Sequence, residues 1–174
     1  MTTGKRTKGF ETPNHPFQGG RIANEHRLVS EYGLRSKQEL WTAESRLRDI
    51  RREARELLGE AQGDAEVAAQ VGAEFMESLR GRGYLAPEAS LDDVLSLELT
   101  DILERRLQTQ VYRAGLANSI DQARQFIVHG HVAVEGARVT RPSYVVSVDE
   151  EDRINFYEFS PLADELHPER AGGQ

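Results

Sequence analysis

The 174-residue chain contains no cysteine, which removes disulfides, thiolate nucleophiles and cysteine-ligated zinc at a stroke. It has no run of about 18 apolar residues, the length that a membrane-crossing helix needs. The first ten residues, MTTGKRTKGF, lack an apolar signal core. A soluble, intracellular protein without a membrane partner is the expectation. GxSxG and the glycine-rich phosphate loops are missing, as are tandem repeats and low-complexity tracts. His129 and His131 flank Gly130 without a third ligand at a recognisable spacing, and His15, His26 and His167 form no pattern. The acidic pairs Asp92-Asp93 and Asp149-Asp152 read as cap and turn residues. No enzymatic activity, cofactor, metal or small-molecule substrate is expected. Lysine is also scarce: among 22 basic residues only Lys5, Lys8 and Lys37 are lysines, and the rest are arginine.

Carboxylates and arginines are abundant. The net charge is −7, with 38% apolar and 29% charged residues. Its distribution is uneven: residues 1–55 carry +5, residues 56–100 carry −8, residues 101–147 carry +2 and residues 148–174 carry −6. Two basic segments followed by acidic ones point to a polyanion met through the basic parts. Exchanging exposed lysine for acids suits a protein kept soluble in concentrated salt, where the Debye length falls to about 3 Å at 1 M. Arginine persists where planar, bidentate contact with phosphate or carboxylate is needed.

The fold class expected is α+β. Residues 1–21 read as an extended basic arm, with Pro13, Pro16 and Gly19-Gly20. A helical domain spans 22–98. It comprises a helix over 22–32 stopped by Gly33, and a long helix to about Leu58 opened by a Ser36/Glu39 capping box. A third helix over about 64–80 has Val67, Val71, Phe75 and Leu79 on its inner side. The long helix turns Leu40, Ala43, Leu47, Ile50, Ala54 and Leu57 to one face and keeps Arg46, Arg48, Arg51, Arg52 and Arg55 mostly off it. Residues 99–160 form a second unit. One helix runs from Thr100 or Asp101 to Gly115 with Leu103, Leu107, Val111 and Ala114 inward. A second, opened by Ser119 and Gln122, ends at Gly130. A hairpin follows around Glu135-Gly136, then strands SYVVSV and RINFYEF separated by a DEEDR turn. Residues 161–174 read as a loose acidic tail.

Two helices followed by a hairpin can present one RNA-binding face. Arg105, Arg106 and Thr109 come from the first helix, with Arg113 beside them. Ser119 and Arg124 sit at the N-terminal turn of the second, where free N–H groups favour phosphate. Arg138 and Arg141 come from the hairpin and its exit. At these residues the stretch LERRLQTQVYRAGLANSIDQARQFIVHGHVAVEGARV resembles the small RNA-binding module named after small-subunit ribosomal protein four. The marks are the arginine-bearing helix, SxxxAR, the glycine stop and the VxVxGxxV hairpin. LERRLQTQV together with EYGLRSKQELW at 31–41 resembles the archaeal and eukaryotic branch of that ribosomal family, over roughly residues 10–160. With the lysine scarcity, this indicates an archaeal member from a halophile.

The resemblance implies that Arg105, Arg106, Thr109, Ser119, Arg124, His131 and Arg138 face small-subunit rRNA. The arm residues Lys5, Arg6, Lys8 and Arg21 and the arginine-rich 46–55 stretch would also touch it. It implies binding to a multi-helix rRNA junction early in assembly, a place near the mRNA entrance in the cytoplasmic ribosome, and an influence on translational accuracy. Neighbouring small-subunit proteins, and mRNA itself, are the further partners implied. This chain departs from its relatives in three respects. Its turn is Glu-Gly where related modules commonly have Asn-Gly, the N-terminal cysteine cluster of some bacterial relatives is missing, and an acidic tail replaces the long basic one of eukaryotic relatives. Two competing readings are a free-standing module protein of ribosome quality control and an accessory module of an RNA-modifying enzyme. EYGLRSKQELW argues against the first, and the lack of an active-site motif in residues 1–98 against the second.

Overall fold

The apolar stripe of the long helix is buried at all six positions, and the rest of the N-terminal half assembles on it. In the computed structural model, which describes residues 9–60 and 65–171 (side chains of 60, 65–69 and 171 excepted), this helix is α2, Lys37–Glu60. It runs two residues past Leu58, through Gly59. Before it, α1 spans Gly19–Glu31 and ends as expected at Gly33, whose φ of 55° closes the helix with the Leu34 N–H on the Val29 carbonyl. α1 begins three residues earlier than its apolar pattern suggested. α3, Ala65–Gly81, packs Met76 and Leu79 inward with Phe75 partly buried, whereas Val71 is exposed; the Val67 side chain lies outside the described set. One short turn, Asp92–Ser96, is held at its start by Asp93, which accepts from both the Ser90 backbone N–H and hydroxyl.

Lys5, Arg6 and Lys8 lie outside the described residues. The next part of the arm packs on α2: the Phe10 ring sits 6.0 Å from that of Trp41, Glu11 pairs with Arg48, and the Glu11 N–H donates to Ser45 Oγ at 3.2 Å. Residues 10 and 11 are thus laid along α2.

The continuous helix expected over 101–115 is two helices. α4 covers Leu99–Glu104 and α5 covers Leu107–Arg113, with Arg106 between them in extended backbone (φ −73°, ψ 141°). The break is filled by the segment after the hairpin. The Leu107 and Gln108 N–H groups donate to the Tyr144 and Pro142 carbonyls, and the Val146 N–H donates to the Arg105 carbonyl. SYVVSV is therefore not a strand of a sheet, and only Val145 bridges to Arg106. The apolar core divides at the same point. Ile102 and Leu103 belong with the α1–α3 cluster, and a second cluster begins at Leu107.

α6, Ile120–Val128, is capped as expected, with Ser119 Oγ accepting the Gln122 N–H at 3.1 Å. β1 (Val132–Val134) and β2 (Ala137–Arg138) form the hairpin around Glu135 (φ 52°) and Gly136 (φ 81°). β3 (Ile154–Phe156) pairs antiparallel with β1 on its other edge, giving the order β2-β1-β3. Instead of an open turn, DEEDR begins inside α7, Val148–Glu151, which starts with a reciprocal Ser147/Glu150 cap. The segment from Pro161 is not loose through residue 171. Leu162 is buried in the second core, Arg170 donates to the Leu162 and Ala163 carbonyls over the Phe156 ring, and α8 covers Pro168–Ala171.

Candidate RNA-binding surface

Extended backbone at Arg106 turns its side chain inward. Arg106 is 6% exposed, and its guanidinium meets the Glu39 carboxylate across the boundary between the two cores. Arg124, from α6, reaches the other oxygen of Glu39 at 2.6 Å and Gln108 Oε1 at 3.0 Å. Gln108, fully buried, donates from its amide to the Gly33 and Ile120 carbonyls. Glu39, Arg106, Arg124, Gln108 and Gly33 thus form one polar cluster joining α2 to the module. Burial raises the Glu39 pKa, but Arg124 and Arg106 outweigh it and leave the carboxyl below its ordinary range. Burial pulls the Arg106 guanidinium below its usual value, with Glu39 opposing.

Part of the face expected from spacing is buried. Arg106 and Thr109 do not project outward; Thr109 is 2% exposed and its hydroxyl donates to the Leu103 carbonyl. Arg124 is half-buried in the Glu39 cluster and pairs with neither Asp121 nor Glu104. Arg105 is mostly buried, donating to the Val146 and Ser147 carbonyls and to Glu151. Glu39 is not the reciprocal partner of Ser36 in a cap: its carboxylate is held by Arg106 and Arg124, and the backbone N–H it accepts, at 3.4 Å, is that of Arg35. Sequence reasoning missed Glu39, Gln108 and Gly33 as members of one cluster. The available signal was a polar residue inside a buried helical repeat, at Gln108.

Other arginines remain at the surface. Arg46, Arg55, Arg138 and Arg141 are exposed, and none has a carboxylate partner among the described residues. Arg138 lies over the Tyr157 ring at 5.8 Å, with its stem against Gly130. Arg48 and Arg52 are exposed but paired, with Glu11 and with Asp49 and Glu56. Arg113 pairs with Glu104, whose carboxylate also accepts the Tyr32 hydroxyl. Burial and that carboxylate push the Tyr32 phenol up to about 12. Arg51 donates to the Leu97 carbonyl, and Arg21 to the His15 and Pro16 carbonyls beside Glu25. His131 is half-buried against Ser160 Oγ at 2.9 Å, and burial with His129 and His167 nearby holds its pKa below the usual range. Among the described residues no group of three or more His, Asp or Glu is placed to hold a metal ion, and no helix is long and apolar enough to cross a membrane.

Residues 105–154, from the α4–α5 break to the start of β3, match the S4 domain family. Similarity to known proteins extends over the whole chain. Small ribosomal subunit protein uS4 of Natronomonas pharaonis is 64% identical over 174 residues, covering 100% of each chain. That of Haloquadratum walsbyi is 59% identical, covering 100% of this chain and 99% of the relative. That of Methanococcus aeolicus is 52% identical over 167 residues, covering 94% and 92%. With an S4 domain built on its second core and full-length relatives at such identity, the chain belongs to the small ribosomal subunit protein uS4 family.

Proposed function

We propose that the chain, as a structural constituent of the small ribosomal subunit, binds a multi-helix junction of small-subunit rRNA early in assembly. In the cytoplasmic ribosome it lies near the mRNA entrance, beside neighbouring small-subunit proteins and within reach of mRNA, and contributes to translational accuracy. It is not an enzyme, and the competing readings as a quality-control factor or an accessory module lose ground to full-length relatives named as ribosomal proteins. The observation that carries the rRNA reading is the set of exposed guanidiniums at Arg46, Arg55, Arg138 and Arg141 without carboxylate partners among the described residues. An acidic chain that pairs many of its other arginines with its own carboxylates leaves these to meet phosphate, which arginine contacts in bidentate geometry.

The test is the double change Arg138→Ala with Arg141→Ala. Two charge-assisted contacts of about 1.5 kcal/mol each would cost more than tenfold in rRNA affinity, since about 1.4 kcal/mol is one decade. The melting temperature should hold. Unchanged affinity would remove the hairpin from the interface, and failure of the wild-type protein to sediment with small subunits after a high-salt wash would reject the whole reading.

A further inference from the structure

A cleft of about 230 Å³ opens where α2 faces α4 and the segment that fills the helix break. Its floor is apolar, made by Ala43, Ile102 and Val145. Thr42, Arg46 and Ser143 stand at the rim and are exposed. The Ser143 hydroxyl has no hydrogen-bond partner among the described residues, and the Thr42 hydroxyl, which donates to the Gln38 carbonyl at 2.8 Å, keeps its lone pairs free. Arg106 forms part of the wall, with its Nε buried and unpartnered among the described residues. The volume is below the roughly 300–1,000 Å³ of pockets for drug-sized ligands, so the occupant is small. Glu39 also lines the cleft, but its carboxylate is held by Arg106 and Arg124, so the unpaired charge at the rim is that of Arg46 and calls for an anion, while the apolar floor calls for a flat, weakly hydrated body.

Building on the rRNA-binding reading above, we propose that this cleft receives the base of one unpaired RNA nucleotide, with Arg46 holding its phosphate. A nucleotide combines the three properties the cleft selects for: a planar apolar face, polar edges within reach of the rim hydroxyls, and an adjoining anion. Proteins recognise RNA largely through such unstacked bases, set on apolar or guanidinium surfaces and hydrogen-bonded at their edges. The cleft rests on the first core, but its lining comes both from α2 and α4 and from Arg106, Ser143 and Val145 of the S4 module, so an inserted base would report the relative position of the helical half and that module. It would add a contact that depends on RNA structure to the non-specific attraction of the exposed arginines.

The experiment uses the full chain and full-length small-subunit rRNA in molar potassium chloride. Ser143→Trp and Thr42→Trp each place an indole at the rim, and Ser30→Trp on the exposed face of α1 is the control. Affinity, melting temperature and base-specific chemical probing of the RNA are measured on each. The expected result is at least a tenfold loss of affinity for whichever rim variant keeps the wild-type melt, with the control unaffected. One unpaired nucleotide, protected by the wild-type protein, should become reactive in the variant complex. Wild-type affinity and an unaltered protection pattern in a folded rim variant would overturn the proposal. If Arg138→Ala with Arg141→Ala weakens binding while both rim variants bind normally, the pocket fails and the rRNA reading stands. If the wild-type protein does not bind this rRNA, both fail together.

Discussion

Glu39 holds two guanidiniums that spacing alone directed toward RNA, and the consequence is measurable in stability. Removing its carboxylate leaves Arg106 buried and unpaired, a loss of about 3 kcal/mol for breaking one side of a buried pair. Glu39→Ala should therefore lower the melting temperature at neutral pH. The sign of its pH dependence follows from the direction of the shift. A carboxyl whose folded pKa lies below its ordinary 4.5 stabilises the fold above that value and ceases to do so as pH falls through the folded pKa. The melting difference between wild type and Glu39→Gln should thus be full at pH 7 and shrink below about pH 4.5. A difference that persists undiminished at pH 3 would contradict the ion-pair account. Arg124→Ala should behave in the same way, with the melt falling before rRNA affinity does, the reverse of what a solvent-facing arginine would show. Parallel melts and binding isotherms on that variant distinguish the two.

At the scale of the element, two local devices set the module, and each can be changed singly. Ser119 satisfies the Gln122 N–H at the start of α6, and the Gln122 side chain accepts from the Asn118 N–H instead of completing a box with Ser119. Ser119→Ala should cost about 1 kcal/mol, the usual loss for an N-cap oxygen, read as a lower denaturation midpoint with an unchanged slope. The hairpin carries the opposite opportunity. Glu135 occupies a left-handed conformation that costs an ordinary side chain about 1–2 kcal/mol, and asparagine tolerates it better. The exposed Arg153–Glu135 pair offsets less than about 1 kcal/mol of this. Glu135→Asn should therefore stabilise the protein by roughly 0.5–1 kcal/mol. A lower melting temperature would show that the ion pair with Arg153 outweighs the backbone strain.

Across the whole molecule, a net charge of −7 acts on two modest cores joined through one polar cluster. Carboxylates dominate residues 56–100 and 148–174, and self-repulsion among them reaches across the protein in dilute buffer, where the Debye length is about 30 Å at 0.01 M. At about 1 M it shrinks to roughly 3 Å, while the buried Glu39 pairs are screened far less than exposed ones. The melting temperature should rise with potassium chloride. A steady fall with salt would mean that the exposed ion pairs, such as Arg27–Glu31 and Arg52–Glu56, contribute more than the repulsion costs.

Patterns of nearest neighbours were legible without coordinates. The six-position stripe of α2, the Ser119 cap, the stops at Gly33 and Gly130 and the Glu135-Gly136 turn depend on interactions within a few residues, and the residue string displays them directly. The S4-type module and its ribosomal family were legible for the same reason, as a run of such local signals in fixed order. Helix periodicity was misleading at Arg106, because Leu103, Leu107 and Val111 keep helical spacing through a point where the backbone leaves the helix. That departure is imposed by carbonyls of Pro142 and Tyr144, some 35 residues away, which take the N–H groups of Gln108 and Leu107. Once the backbone turns there, Arg106 is buried against Glu39 and Thr109 against Leu103. Whether an arginine meets phosphate or carboxylate is therefore decided by which distant segment packs beside it, a long-range choice that residue spacing does not encode.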